Sequence, residues 1–84
     1  MRIMYDNESG IYPPGEYLVG EDIGTGRYLL TCISDLAQVS VYENYKKFKE
    51  DDMITYHSFE KDYHLSLREE GLFVVIEGAE IKRL

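Results

Sequence analysis

The chain has 84 residues, and its hydrophobic share of 44% and charged share of 30% are typical of a folded globular domain. A net charge of −7 opposes binding to the phosphate backbone of a nucleic acid. Cys32 is the single cysteine, so no internal disulfide can form, and no stretch approaches the roughly 18 apolar residues of a membrane span. We expect one domain that binds no nucleic acid and does not insert into a membrane.

Residues 1–14 are predicted to be an extended leader, because turn-forming residues fill them and Pro13-Pro14 disfavours both helix and ladder pairing. They show no apolar run after a basic start, so we expect no export signal in the chain as given. We expect a cytoplasmic protein, or a secreted or cell-surface one if the native chain carries a signal outside this sequence. Residues 15–84 are predicted to form a single β domain.

From residue 15 onward, short apolar alternations are separated by turn signals about every ten residues, which is the pattern of an all-β protein. A first strand is predicted at 15–19 and a second at 27–33. Both faces of the second strand are apolar, which predicts a central position in its sheet. Residues 38–42 predict a half-buried strand in which Tyr42 faces outward.

Residues 43–52 place Tyr45, Phe48 and Met53 on one side of a potential short helix, but start and stop signals are not apparent, so we expect a loop or a single turn. The basic run within this segment is followed by acidic residues, which indicates a solvated, charge-balanced surface. Further strands are predicted at 53–59, 62–68, 72–76 and 79–84.

These elements predict an all-β fold, a small sandwich or partly open barrel of about six to seven mostly antiparallel strands. The predicted core consists of ten residues at the inward positions of the strands. They are Tyr17, Val19, Tyr28, Leu30, Val39, Val41, Leu65, Leu67, Val74 and Ile76.

A Gly-x-Tyr-Leu-apolar unit occurs twice, beginning at Gly15 and at Gly26. Its spacing is too short for a repeat architecture, so we expect two successive strands that are entered through the same turn chemistry. Between them, Asp22 is predicted to accept hydrogen bonds from loop amides and Ile23 to close the end of the core.

The pattern G-x-Y-x-V-G-x-D-I-x-x-G-x-Y at residues 15–28 resembles the opening of a small β domain that recurs in proteins of Gram-positive bacteria. That domain is often a module of secreted or lipid-anchored proteins. Residues 67–79, with the pattern L-x-x-x-G-x-x-x-x-I-x-G-A, are similar to its closing strands, so the resemblance spans about residues 15–84. It implies a non-enzymatic domain whose ligand is unknown. The family usually has Pro-Ala where this chain has Gly24-Thr25.

His57 and His64 are the two histidines, and a hairpin would bring them together. Two imidazoles with a nearby carboxylate suit zinc or iron, but a spacing of seven residues is not a ligand motif. Cys32 alternates with Tyr28 and Leu30, which predicts a buried and inert thiol. We predict no catalytic, cofactor or metal site, and a small metal-binding protein or enzyme that uses the histidine pair is the alternative.

The tyrosines carry the remaining functional signal, since the chain has eight of them and no Trp. Four are predicted to face outward or to lie at strand ends, where tyrosines stack on sugars or anchor protein partners. These are Tyr12, Tyr42, Tyr45 and Tyr56. We therefore predict a non-catalytic interaction module that binds a protein or glycan partner.

Self-association is also predicted, because a small sheet protein without disulfides ends in exposed strand edges. The apolar strand at 72–76 and the outward-facing Tyr42 are the surfaces that we expect a symmetric dimer to bury. The negative charge predicts association that strengthens as salt screens the repulsion.

Overall fold

Eight strands and one short helix form along residues 11–84, the part of the chain that the computed structural model describes. The strands are β1 (Ile11–Tyr12), β2 (Gly15–Leu18), β3 (Gly26–Cys32), β4 (Ala37–Tyr42), β5 (Met53–Phe59), β6 (Asp62–Leu67), β7 (Phe73–Glu77) and β8 (Ala79–Arg83). The helix is α1 (Tyr45–Lys49). Most of the predicted leader lies outside the described residues, but its Ile11 and Tyr12 form β1, which the sequence did not predict.

The strands form two four-stranded sheets in which every pairing is antiparallel. Sheet A has the order β1-β8-β3-β6, and sheet B has the order β2-β7-β4-β5. β1 pairs with β8, β2 with β7, β3 with β6 and β4 with β5. This is the connectivity of an eight-stranded jelly roll, two sheets that are not closed into a barrel. The predicted all-β sandwich is confirmed, with a larger number of strands.

The order of strands confirms one positional prediction and corrects another. β3 is central, between β8 and β6, as its two apolar faces predicted. β7, however, lies between β2 and β4, so residues 72–76 do not offer the dimer surface that was predicted for them. Both sides of its backbone are occupied by ladder pairing, and among residues 11–84 the sheet edges are β1, β6, β2 and β5.

All ten predicted core residues are buried, none with more than 7% of its surface exposed. They come from both sheets and form one cluster, because residues at alternate positions of each strand point to the space between the sheets. Ile23, which is 4% exposed, joins this cluster from the loop after β2, as predicted.

The repeated Gly-x-Tyr unit forms the same local structure twice. In each copy the tyrosine ring is buried, and its hydroxyl donates to the carbonyl oxygen of the residue four positions earlier. Tyr17 donates to Pro13, and Tyr28 donates to Gly24 at 2.6 Å. A buried tyrosine that fixes the preceding turn in this way resembles the tyrosine corner of other β sandwiches. The two copies share this tyrosine hydrogen bond, but their turns differ, since Gly26 has a φ of +141° and Gly15 does not have a positive φ.

The connection between β4 and β5 contains α1, where the sequence predicted a loop or a single turn. Asn44 is the start signal that was overlooked, because its Oδ1 accepts a hydrogen bond from the Lys47 amide at 2.8 Å. The charged run is balanced as predicted, with the Lys47 ammonium 3.5 Å from Asp52.

Candidate interaction surface

A second cluster of aromatic side chains lies outside the main core, on the face of sheet B that points away from sheet A. Tyr42 and Phe73 are opposite each other in the β4–β7 ladder, next to the core residues Val41 and Val74. Because side chains alternate along a strand, Tyr42 and Phe73 face the other way.

The helix α1 covers this pair with its own aromatic residues. The ring of Phe48 lies 4.6 Å from that of Phe73 and 5.2 Å from that of Tyr42, measured between centroids. Tyr45 contacts Phe73 edge to face at 5.3 Å. These distances are typical of favourable aromatic pairs, each contributing about 0.5–1.5 kcal/mol beyond the area that it buries.

The packing of α1 corrects the prediction for Tyr42. Its side chain points away from the core as the alternation predicted, but only 5% of its surface is exposed because Phe48 lies over it. Tyr42 thus supports the cluster, and little of its surface is accessible to a partner or a second copy.

Three large side chains remain exposed around the cluster: Tyr45 at 51%, Tyr56 at 49% and Met53 at 43%. In the β4–β5 ladder, Tyr56 is opposite Ser40 and Met53 is opposite Tyr42, which places both on the outer face of sheet B. We refer to these three residues and the cluster beneath them as the aromatic face. Its full membership is Tyr42, Tyr45, Phe48, Met53, Tyr56 and Phe73.

Charged residues of both signs border the aromatic face. The Lys49 ammonium lies 5.8 Å from the centre of the Tyr45 ring, and Lys47 lies 3.8 Å from Glu50. A mixed polar rim around exposed aromatic side chains is the usual anatomy of a protein interface.

Tyr12, the fourth predicted contact residue, does not belong to the aromatic face. It lies in β1 at the edge of sheet A, where its half-buried ring stacks on that of Tyr17 with 6.0 Å between centroids. The structure therefore places three of the four predicted tyrosines on the outer side of sheet B and leaves Tyr12 packed against the main core.

The two histidines lie in different sheets, His57 in β5 and His64 in β6, and both are exposed. The turn between these strands crosses from one sheet to the other, so it does not form the hairpin that would pair them. The His57 ring contacts Tyr63 at 4.8 Å. Within residues 11–84, no three His, Cys, Asp or Glu side chains are grouped in a way that suits a metal ion.

Cys32 is half-buried, so the prediction of a fully buried thiol is wrong in degree. It is the last residue of β3, where the strand passes into an exposed turn, and its Sγ donates to the carbonyl oxygen of Ser34 at 3.0 Å.

Tyr28 is the described residue whose ionisation is clearly altered by the fold. Burial raises the pKa of its phenol above the ordinary value of 10.0, and Arg83 opposes part of this increase. The Arg83 guanidinium donates to the Tyr28 oxygen at 3.0 Å and to the carbonyl oxygen of Thr25 at 3.0 Å. This network fixes the turn before β3 and lies outside the aromatic face.

A groove of about 510 Å³ opens near the edge strands β5 and β6. Ile54 and Leu65 contribute apolar surface to it, and His64 and Arg68 contribute polar groups. The sequence did not predict this groove, because the space between two sheets is set by their relative placement and not by a local pattern.

Comparison of the chain with protein-family models, with curated proteins and with solved structures found no match. The resemblance to the Gram-positive module therefore stays a prediction. In the part of the chain that the structure describes, no helix has the length and apolar character needed to cross a membrane.

Proposed function

We propose that this protein is a non-catalytic interaction module that binds a protein partner through the aromatic face. The observation that carries the proposal is the exposure of Tyr45, Met53 and Tyr56 on one face, above a packed aromatic cluster. Tyr and Met are enriched in the cores of protein interfaces, where they supply large contact area.

The aromatic face is also partly ordered before any partner binds. The contacts of Tyr45 with Phe48 and Phe73, at 5.8 and 5.3 Å, restrict its ring, and the Asn44 cap fixes the start of the helix that carries it. A side chain that is already ordered loses less entropy on binding, which favours affinity.

A glycan partner is the second possibility that the tyrosines suggest. Sugars stack on tyrosine rings, but the exposed Met53 adds apolar area to the same face that a hydroxyl-rich ligand would desolvate poorly. A protein partner uses this area, so we favour a protein. The alternative of a metal-binding protein or enzyme built on His57 and His64 has no grouping of these residues to support it within 11–84.

The proposal is tested by capturing partners from the native host on the immobilised wild-type chain, identifying them, and measuring their affinity for a Tyr45→Ser/Tyr56→Ser variant. Truncating interface hot spots costs about 2 kcal/mol each, so we expect binding to weaken by at least about thirtyfold. An Ile33→Ser/Leu36→Ser variant is the matched control, because it removes two side chains that are similarly exposed, at 54% and 48%.

Equal loss of binding in both variants would contradict the proposal, as would captured proteins that bind the Tyr45→Ser/Tyr56→Ser variant as well as the wild type. A glycan array with the same variants tests the other partner class. Tyrosine-dependent glycan binding without any tyrosine-dependent protein partner would transfer the proposal to glycans.

A further inference from the structure

The edge strand β5 lacks the features that protect the other three sheet edges. Exposed edges are usually short or carry charges or prolines, because their unpaired amides and carbonyls otherwise pair with another strand. β1 has two residues and is followed by Pro13-Pro14, β2 carries Glu16, and β6 begins with Asp62. β5 has seven residues and contains neither a charge nor a proline, in a chain whose net charge is −7.

β5 is also apolar where it is accessible. Ile54 is 59% exposed, Tyr56 is 49% exposed and Met53 is 43% exposed. In the described part of the chain, β5 pairs with β4 alone, so one side of its backbone has no ladder partner. A β-bulge opposite Val41 and Tyr42 affects only the beginning of the strand and leaves residues 55–59 in regular register.

We infer that β5 pairs with β5 of a second copy of this chain, antiparallel and about a two-fold axis through Tyr56. The pairing joins two B sheets into one continuous sheet. In this register Tyr56 lies opposite its counterpart, and Thr55 lies opposite His57, so residues at paired positions share a face.

The composition of β5 favours a second copy as its occupant. The strand contains no Asp, Glu, Lys or Arg, so two acidic copies can pair along it without placing like charges opposite each other within the ladder. A two-fold pairing uses the unprotected edge of both copies, so the assembly is closed and does not continue into a fibre.

This inference goes beyond the proposed function, because the dimer uses the backbone edge of β5 while partner binding uses side chains of the aromatic face. Tyr56 lies at the border of both. The two ideas are therefore separated by substitutions that affect one surface alone, namely Ile54 for the edge and Tyr45 for the face.

Sedimentation of the full chain from about 1 to about 100 μM, at low and at moderate salt, tests the inference. We expect a species with close to twice the 9.8 kDa of one chain, and a stronger dimer at moderate salt because screening reduces the repulsion between two acidic copies. In hydrogen exchange, amides of β5 become more protected as the dimer forms, since the new ladder bonds shield them.

Ile54→Lys should weaken dimerisation by at least about tenfold, because it places a charge in the pairing of each copy. Ile33→Lys is the matched control, because it changes the charge of the chain by the same amount. Ile33 is exposed to a similar extent, 54%, but lies outside the strands. Ile33→Lys and Tyr45→Ser should both leave dimerisation unchanged. Circular dichroism confirms that each variant is folded.

A monomer under all conditions would overturn the inference. So would a dimer that survives Ile54→Lys but is lost in Tyr45→Ser, because that dimer would use the aromatic face. Assemblies that keep growing with concentration would exclude the closed two-fold pairing. Loss of partner binding in Tyr45→Ser with an intact dimer would support both proposals, and an intact dimer with unaffected partner binding would contradict the proposed function alone.

Discussion

Gly78 is the point at which the chain passes from sheet B to sheet A, and replacing it with alanine tests how tightly this crossing is packed. β7 ends at Glu77 and β8 begins at Ala79, so one residue makes the change. Gly78 has a φ of +75°, and a Cβ atom there would lie 2.5 Å from the Ser34 Oγ and 2.8 Å from the Leu36 carbonyl oxygen. The Gly78→Ala variant is therefore expected to be both strained and overpacked.

Gly71 separates the cost of backbone strain from the cost of overpacking. It has a φ of +96°, but a Cβ atom built on it has no heavy atom within 4 Å. A left-handed conformation costs a non-glycine residue about 1–2 kcal/mol, so this is the whole expected loss in Gly71→Ala. Overpacking adds about 1–3 kcal/mol, so Gly78→Ala should lose about 2–5 kcal/mol. The difference between the two variants measures the steric conflict.

Urea unfolding of both variants, followed by circular dichroism, gives the two free energies of unfolding. Equal losses would refute the reasoning, because they would show that the turn of residues 34–37 moves aside without cost. A Ser34→Gly/Gly78→Ala double variant removes the nearer of the two obstacles. It should recover part of the loss but not all of it, since the Leu36 carbonyl oxygen belongs to the backbone.

Two further substitutions test the aromatic face and the main core. Asn44→Ala removes the hydrogen bond to the Lys47 amide and should cost about 0.5–2 kcal/mol of helix stability, seen as faster hydrogen exchange in α1, whereas Asn44→Asp keeps an acceptor and should retain most of the protection. Leu30 is fully buried in the central strand β3, so Leu30→Ala leaves a cavity in the core. The free energy of unfolding from urea titrations should fall by about 2–5 kcal/mol, and a loss below about 1 kcal/mol would show that the core collapses around the smaller side chain.

The sequence predicted the main core because burial in a two-sheet protein follows a local rule. Alternation with a period of two marks the inward face of each strand without any knowledge of which strands are neighbours. For this reason Val39, Leu65 and Ile76 were placed correctly, although the jelly-roll pairing that joins them is non-local.

The errors concern features that depend on what lies next to a strand. Tyr42 was placed on the correct side, but its burial is due to Phe48, which reaches it from a helix whose cap at Asn44 was overlooked. The apolar run at 72–76 indicated burial on both faces, which is the property of a central strand, so the expectation that a dimer would bury it was inconsistent with its own pattern. Of the aromatic face, the sequence identified Tyr42, Tyr45 and Tyr56 but not Phe73, because the apolar run at 72–76 indicated a core strand.

The Tyr28 phenol makes the stability of the fold change with pH in the alkaline range. The direction of this change follows from its raised pKa. Below the unfolded-state pKa of about 10, the phenol is neutral in the folded and in the unfolded chain, so it makes no pH-dependent contribution to stability. Above it, the unfolded chain loses the proton first, because burial holds the folded-state pKa higher. Folding is then opposed progressively as the pH rises through 10 and towards the folded-state pKa.

Tyr28→Phe separates this effect from the other groups that titrate in alkali. The variant loses the hydrogen bonds with Gly24 and Arg83, so it should be about 0.5–1.5 kcal/mol less stable at neutral pH. It also lacks the buried phenol, so the difference from the wild type should shrink as the pH rises from about 9 to about 11, measured by urea unfolding at each pH. Tyr45→Phe, a change at a tyrosine that is 51% exposed and outside the β5 pairing, is the control for the loss of one phenol. Parallel stability curves for Tyr28→Phe and the wild type across this range would show that the Tyr28 phenol is not protected from ionisation by the fold.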